Sequence, residues 1–241
     1  MDCIQIDQGF LFGRSVFTTL KIRDGQAVFL DRHLQRLESS AQALSFKSLA
    51  NREAVDNYIR EKQLNHAALK ILISPENLLL MDRSDPYGVN LPSPKYVVLS
   101  PIHRHSSNWL LQHKTTMYLA NKLSLEQAHQ QGAFECLFLN EREEICEGSF
   151  TNFFLIQGSD IYTPPLEAGI LPGLMRQWIL DHFPVQVCPI PWQERRTFQA
   201  AFVTNCLIGI GPIQQIEDTT YQNNHPLIHQ IYHQYTQSVF H

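Results

Sequence analysis

The chain has 241 residues, enough for one large or two small domains with a sizeable core. Its 19 Lys+Arg against 23 Asp+Glu give a formal net charge of -4 with no long block of like charges, which argues against nucleic acid or an anionic membrane as the main partner. The cysteines, at positions 3, 136, 146, 188 and 206, form no CxxC pair and no zinc-like cluster. Together with an N-terminus, "MDCIQIDQGF", that lacks a basic stretch followed by an apolar one, they predict reduced thiols in the cytoplasm.

In chain order, "SVFTTLKIRDGQAVFL" alternates apolar and polar residues around "DG" and predicts a β-hairpin. "DRHLQRLESSAQAL" then places Leu34, Leu37, Ala41 and Leu44 at helical spacing, with Asp31 as the expected N-cap. A second amphipathic helix is expected in "REAVDNYIREKQL". "ALKILIS" and "KYVVLSPI" read as buried strands, and "ENLLLMDRSDPYGVNLPSP" between them as a long loop. The stretch around 103–113 changes character and is the expected domain junction.

Beyond it, "MYLANKLSLEQAHQQ" predicts a helix stopped by Gly132, and "CLFLNEREEICEG" a hairpin. "TNFFLIQGSDIYTPP" predicts a strand and turn, and "LPGLMRQWILDHF" a helix opening at Pro172 and Gly173. The uncharged run "TFQAAFVTNCLIGIGPIQQI" is long enough to span a bilayer, but its polar groups would lack partners in lipid, so a buried strand and its turn are expected and no membrane span. A last helix begins near Pro226. Strands and helices are mixed in both halves without regular βαβ repeats, which favours an α+β fold in two domains.

Some residues invite chemistry on their own. His225, His229 and His233 share one helical stripe, yet Ile228, Ile231, Tyr232 and Tyr235 define a core face beside them and no carboxylate completes a ligand set, so no metal is expected. The helix after Gly173 offers backbone N–H groups and a positive dipole end to a phosphate, or is a plain strand-to-helix turn. Glu147 is either a solvated hairpin residue or a buried carboxylate facing a cationic ring nitrogen. Lys114 and Lys122 both lie in "LLQHKTTMYLANKLSLEQAHQQG", and helical spacing alone does not rank them as nucleophiles.

Taken in order, "IDQGFLFGRSVFTTLKIRDG", "FLDRHLQRLESSAQAL", "KTTMYLANKLSLEQAHQQGAFECLFLN", "EEICEGSFTNFFLI", "AGILPGLMRQWIL" and "FVTNCLIGIGPI" resemble the class IV aminotransferase family, the fold-type IV enzymes that use pyridoxal 5'-phosphate. The resemblance implies a smaller N-terminal and a larger C-terminal α/β domain with the active site between them, here 1–104 and 114–241 joined by a linker at 105–113. It also implies a homodimer acting on a small-molecule substrate.

Residue by residue, the resemblance makes Lys114, which precedes the helix ending at Gly132, the lysine that bonds the cofactor and later acts as base. Lys122 becomes an ordinary helix residue. Glu147 resembles the partner of the pyridine nitrogen, and Arg36 the arginine on the phosphate. Leu174 and Met175 would give backbone N–H groups to that phosphate. Thr19 matches a position near the reacting carbon, with Thr18 on the other face of the strand. Leu174-Met175 stands where relatives often carry Ile-Thr and Cys206 where they often carry threonine, so two hydroxyl donors to the phosphate are absent, and Arg83 is a candidate for a substrate carboxylate.

Within the family, "FTT" and "TNCLIGIGPI" look most like the branch that converts 4-amino-4-deoxychorismate to 4-aminobenzoate and pyruvate, a step toward folate. Transaminases of the family tend to carry an acid in the last segment, where this chain has Gly209. The alternatives are an aminotransferase for D-amino or branched-chain acids, and a non-catalytic cofactor-holding protein.

Overall fold

The computed structural model describes residues 4–88 and 90–240. The chain forms two compact units, one of Met1–Gly88 with His113–Met117, the other of Val89–Gln112 with Tyr118–His241.

The first unit opens with a short helix, α1 (Gln8–Phe12), capped by the Asp7 carboxylate, which accepts from the N–H groups of Gly9 and Phe10. The expected hairpin follows as β1 (Val16–Arg23) and β2 (Gln26–Ala27), turning through Asp24 and Gly25, both at positive φ (48° and 73°) as such tight turns require. Helix α2 (Leu30–Ala43) buries Leu30, His33, Leu37, Ser40 and Ala41 on one face. Its N-cap is Phe29 in the left-handed region, not Asp31, which sits in the first turn where its charge suits the helix dipole. Helix α3 (Arg52–Glu61) is capped by Asn51.

Strands β3 (Ala67–Ile73) and β4 (Leu78–Arg83) complete an antiparallel sheet in the order β2-β1-β3-β4. Here β4 corrects an expectation, since its sequence reads as loop. It is an edge strand whose Leu78 and Leu80 pack on the core while Leu79 and Met81 on the other face are apolar too, so no alternation announces it.

The core of this unit gathers Val16, Leu20, Ile22, Leu69, Ile71 and Ile73 from the sheet with Leu30 and Leu37 of α2 and Val55 and Ile59 of α3. Each such side chain contributes about 1.5–3 kcal/mol by leaving water. The segment His113–Met117 joins by backbone pairing: Phe17 donates its N–H to the Lys114 carbonyl at 2.8 Å, and Thr116 donates to Ser15 at 3.0 Å. The division therefore falls elsewhere than 1–104, 105–113 and 114–241, and it groups Lys114 with the first unit.

The second unit contains β5 (Lys95–Leu99), α4 (Leu119–Gln130), β6 (Glu135–Leu139), β7 (Ile145–Gly148), β8 (Asn152–Gln157), β9 (Asp160–Thr163), α5 (Leu174–His182), β10 (Val185–Val187), β11 (Ala200–Asn205), β12 (Gly209–Ile216), β13 (Thr219–Thr220) and α6 (Pro226–Phe240). Its sheet runs β10-β9-β8-β11-β12-β5-β6-β7, with β13 on β12. A single residue pair, Glu147 with Asn152, joins β7 back to β8 and closes a ring of strands.

Two segments expected to be a strand and a turn are full hairpins, β8–β9 and β11–β12. The run from Thr197 to Ile216 is thus paired protein core, and among the described residues no helix is long and apolar enough to cross a membrane. No group of His, Cys, Asp and Glu suited to a metal occurs among them either.

Candidate active site

In the first unit the chemistry gathers on β1, where successive side chains face opposite ways. Thr18 is fully buried toward α2, where Arg36 Nη2 donates to its hydroxyl at 2.6 Å and His33 Nδ1 lies 2.6 Å from the same oxygen. A guanidinium only donates, so the Thr18 oxygen accepts from Arg36, and the same hydroxyl pairs with His33 Nδ1. The other ring nitrogen of His33 is Nε2. That atom is buried with no hydrogen-bond partner among the described residues. Burial first, then the charges of Arg36 and Lys114, hold the His33 pKa well below its ordinary value.

Thr19 is on the opposite face of β1, with Phe17 and Lys21. Lys114 Nζ lies 4.7 Å from the centre of the Phe17 ring and Lys70 Nζ lies 4.4 Å from it, a cation on an aromatic face in each case. Lys70 is paired directly across from Thr19 and beside Met81 of β4. Burial, with the charges of Lys114 and Arg83, lowers the Lys70 pKa.

Arg83 is exposed, and its register opposite Ala68 puts it on this same face. Lys21 is buried and neutralised by Asp85 at 3.1 Å. The face carries Lys70, Arg83 and Lys114 as cations beyond that pair. Sequence reasoning missed Lys70; its signal was a lysine inside the apolar run "ALKILIS". Lys122 is exposed on α4 and pairs with Glu126 one turn on at 3.2 Å.

In the second unit the centre is Glu147. Its side chain is 6% exposed and its Oε1 accepts from Arg104 Nη1 at 2.7 Å. Its Oε2 accepts from Asn152 Nδ2 at 2.9 Å and from the Leu171 N–H at 3.1 Å. Of the two readings open in the sequence, the buried carboxylate is the one found. These donors stabilise its ionised form.

The turn after β7 is held by a second buried acid that sequence reasoning passed over. Glu135 accepts from the N–H groups of Cys136, Ser149 and Phe150 and from the hydroxyls of Ser149 and Thr151. Burial raises its pKa against the pull of these donors. Its position inside the apolar run "AFECLFL" was the available hint.

Gly173 is the N-cap of α5, in extended geometry, so Leu174 and Met175 open the helix as expected. A Cβ at Gly173 would fall 1.9 Å from Asn152 Oδ1, so only glycine lets the helix start this close to the Glu147–Asn152 pair. Cys206 is half-buried just past β11, in the turn where Asn205 Oδ1 accepts from the N–H groups of Leu207 and Ile208.

A family model described as Amino-transferase class IV matches residues 15–216. The chain belongs to that family. The aminodeoxychorismate lyase of Bacillus subtilis is 26% identical over 89% of this chain and 82% of that protein. The D-alanine aminotransferase of Listeria innocua is 25% identical over 88% of this chain and 81% of that protein. Among solved structures, a Legionella pneumophila chain provisionally described as 4-amino-4-deoxychorismate lyase superposes with a TM-score of 0.91 and 25% identity, covering 98% of this chain and 96% of its own.

The fold is the α+β fold-type IV architecture. The class IV enzymes are pyridoxal-phosphate enzymes, and they include lyases and aminotransferases.

The residues present fit that cofactor. A buried carboxylate held by three donors suits a protonated ring nitrogen, and α5 opens after a glycine N-cap that has no side chain to take up its first N–H groups, as a phosphate could. In the first unit, Arg36 is a guanidinium and Lys114 an amine of the kinds that would suit a phosphate and an aldehyde.

Proposed function

We propose that this protein is a pyridoxal-phosphate-dependent lyase that converts 4-amino-4-deoxychorismate to 4-aminobenzoate and pyruvate. The observation that carries the reading is the division of labour in "FTT": Thr18 is committed to Arg36 and His33, which leaves Thr19 on the face of β1 that carries Phe17 and, across its ring, Lys114 and Lys70.

Lys114 and Glu147 would hold the aldehyde and the ring nitrogen, and Arg36 with the N–H groups of Leu174 and Met175 the phosphate. When bound, the cofactor supplies an aldehyde that takes the substrate amine and a ring that accepts the electron pair left when the adjacent C–H proton departs. Lys114 Nζ receives that proton. Thr19 orients the lysine or the departing enolpyruvyl oxygen by hydrogen bonding. Loss of that group as pyruvate leaves an aromatic product, a strong driving force. The substrate is a dicarboxylate, and Lys70 and Arg83 give its carboxylates positive partners on the Lys114 face.

Gly209 supports the lyase over the transaminase. It sits at φ +66°, and a Cβ there would fall 2.7 Å from the Tyr235 ring, so this backbone has no room for the acid that transaminases of the family tend to carry in that segment. The reading extends to a homodimer, supported by Phe10 and Phe12 of α1, which are 71% and 74% exposed. Light scattering at twice the chain mass would agree with it, and a monomer would not.

The test is to incubate the protein, loaded with pyridoxal phosphate, with enzymatically generated aminodeoxychorismate in the absence of any 2-oxo acid. Equal amounts of pyruvate and 4-aminobenzoate are expected. No product, alongside turnover of D-alanine or a branched-chain amino acid with 2-oxoglutarate, would replace the lyase by an aminotransferase.

A further inference from the structure

Arg104 was not among the residues singled out by sequence. It lies five residues past β5, where its N–H donates to the Leu139 carbonyl at 2.8 Å and fixes its backbone beside the end of β6. Its Nη1 donates to Glu147 Oε1 at 2.7 Å and reaches the Gly169 carbonyl at 3.4 Å. The guanidinium carbon is 4.4 Å from the centre of the Phe138 ring, so the cation is packed on an aromatic face as well as paired.

Both members of the pair are 6% exposed, and Arg104 Nη2 is buried with no hydrogen-bond partner among the described residues. Burying a guanidinium with one donor unmatched is costly, and a buried ion pair is often no more stabilising than an apolar substitute. Orientation of Glu147 does not require it either. Asn152 Nδ2 and the Leu171 N–H already fix the carboxylate from its other oxygen. What only a cation adds is charge.

The remaining titratable groups around the pair do not duplicate that charge at contact distance. Cys146 of β7 and Cys136 of β6 have thiols pushed up to about 12, by burial first, and are neutral. Glu144 and Glu141 are engaged with Arg142, and Arg176 of α5 gives its Nη2 to the Pro164 carbonyl at 2.9 Å.

We propose that Arg104 is a positioning residue for the reaction: by taking up part of the Glu147 charge, it keeps that carboxylate a weak base, so that the proton shared with the cofactor's ring nitrogen stays on the nitrogen. This rests on the pyridoxal-phosphate reading of the preceding section. Without the cation, Glu147 becomes the stronger base. The proton then leaves the ring nitrogen for Glu147 Oε2 or Oε1, and the ring loses the positive charge with which it withdraws electrons.

The experiment loads wild-type protein and variants with pyridoxal phosphate labelled with 15N in the ring and reads the nitrogen shift. Wild type is expected to give the protonated-ring shift. Arg104→Gln and Arg104→Met should each move most of the way to the unprotonated shift, while Arg104→Lys, which keeps a charge, should restore the wild-type value. A protonated shift in a folded, loaded Arg104→Gln or Arg104→Met protein would overturn the proposal and leave the cofactor reading intact.

Failure of the wild type to bind the labelled cofactor would overturn both. If neither neutral variant folds, the wild-type titration decides. Its protonated shift should persist from about pH 6 to about pH 9, and loss of it below about pH 7 would refute the role assigned to Arg104.

Discussion

The Thr18 hydroxyl lies 2.6 Å from His33 Nδ1, while its oxygen accepts from Arg36 Nη2 at 2.6 Å. One threonine thereby holds both the ring of a buried histidine and the direction of an arginine. Thr18→Val removes the acceptor and keeps the shape. It should weaken pyridoxal-phosphate binding more than it weakens the fold, read as a rise in the cofactor concentration needed for half-saturation of the bound-cofactor absorption, at a nearly unchanged urea midpoint.

His33 also predicts a pH dependence. Its folded pKa is depressed, so below its unfolded value of about 6.5 the unfolded chain binds the proton more readily than the folded one. The corresponding stability is present above that pH and falls as the solution is acidified toward the folded pKa, by up to about 1.4 kcal/mol per pH unit. Urea unfolding at several pH values should show the slope, and His33→Gln should flatten it. An unchanged slope in the variant would assign the acid sensitivity to other groups.

Lys114 and Lys122 should separate cleanly. Lys122→Ala removes an exposed pair with Glu126 and should cost less than about 0.5 kcal/mol with activity retained. Lys114→Ala should abolish both turnover and the mass increment fixed on the chain by borohydride after cofactor loading. The reverse pattern would move the assignment to Lys122.

Gly173→Ala places a methyl group against Asn152 Oδ1, which itself holds Glu147 and the Leu171 carbonyl through its amide. The helix start or the asparagine must shift. A loss of roughly 2–3 kcal/mol is expected, the upper range for overpacking, together with weaker cofactor binding. A thermal melt and a cofactor titration would check it, and a neutral result in both would contradict the close approach.

Lys70→Met keeps the length of the side chain on Phe17 and removes the charge. If Lys70 meets a substrate carboxylate, kcat/KM should fall by roughly 10–100-fold, mostly through KM, as expected for loss of a charge-assisted hydrogen bond. Binding of pyridoxal phosphate should change little. A fall confined to kcat would instead place Lys70 beside Lys114 as a modulator of its amine.

The elements most legible in the sequence were those in which one face is buried. α2, α3, β1 and β3 each carry a periodic apolar stripe, and "DG", Asn51, Gly132 and Gly173 mark ends whose backbone geometry restricts the choice of residue. β4 was illegible because Leu78, Leu79, Leu80 and Met81 are apolar on both faces of the strand, so the sequence does not alternate. The Asp31 cap failed because a left-handed Phe29 starts the helix two residues sooner than a side-chain cap at Asp31 would.

In the site, the resemblance supplied Lys114, Glu147, Arg36 and Thr19 by position in a motif. Lys70, Arg104 and Glu135 stayed hidden because their partners lie 43 residues away in the chain, as for Arg104 and Glu147, or across a sheet. A single charged letter in an apolar run signals burial but not what it meets.

The ring of strands in the second unit is closed by one residue pair, and that pair is Glu147 with Asn152. A ladder this short is the place where local opening costs least, so amide hydrogens on either side of it should exchange faster than those of β11 and β12. A ligand that engages Glu147 more tightly in the closed ring than in the open one draws the opening equilibrium toward closure. Slowed exchange at this seam on ligand addition would then report occupancy with no need for turnover, and the ligand would serve as the last stitch of the barrel wall.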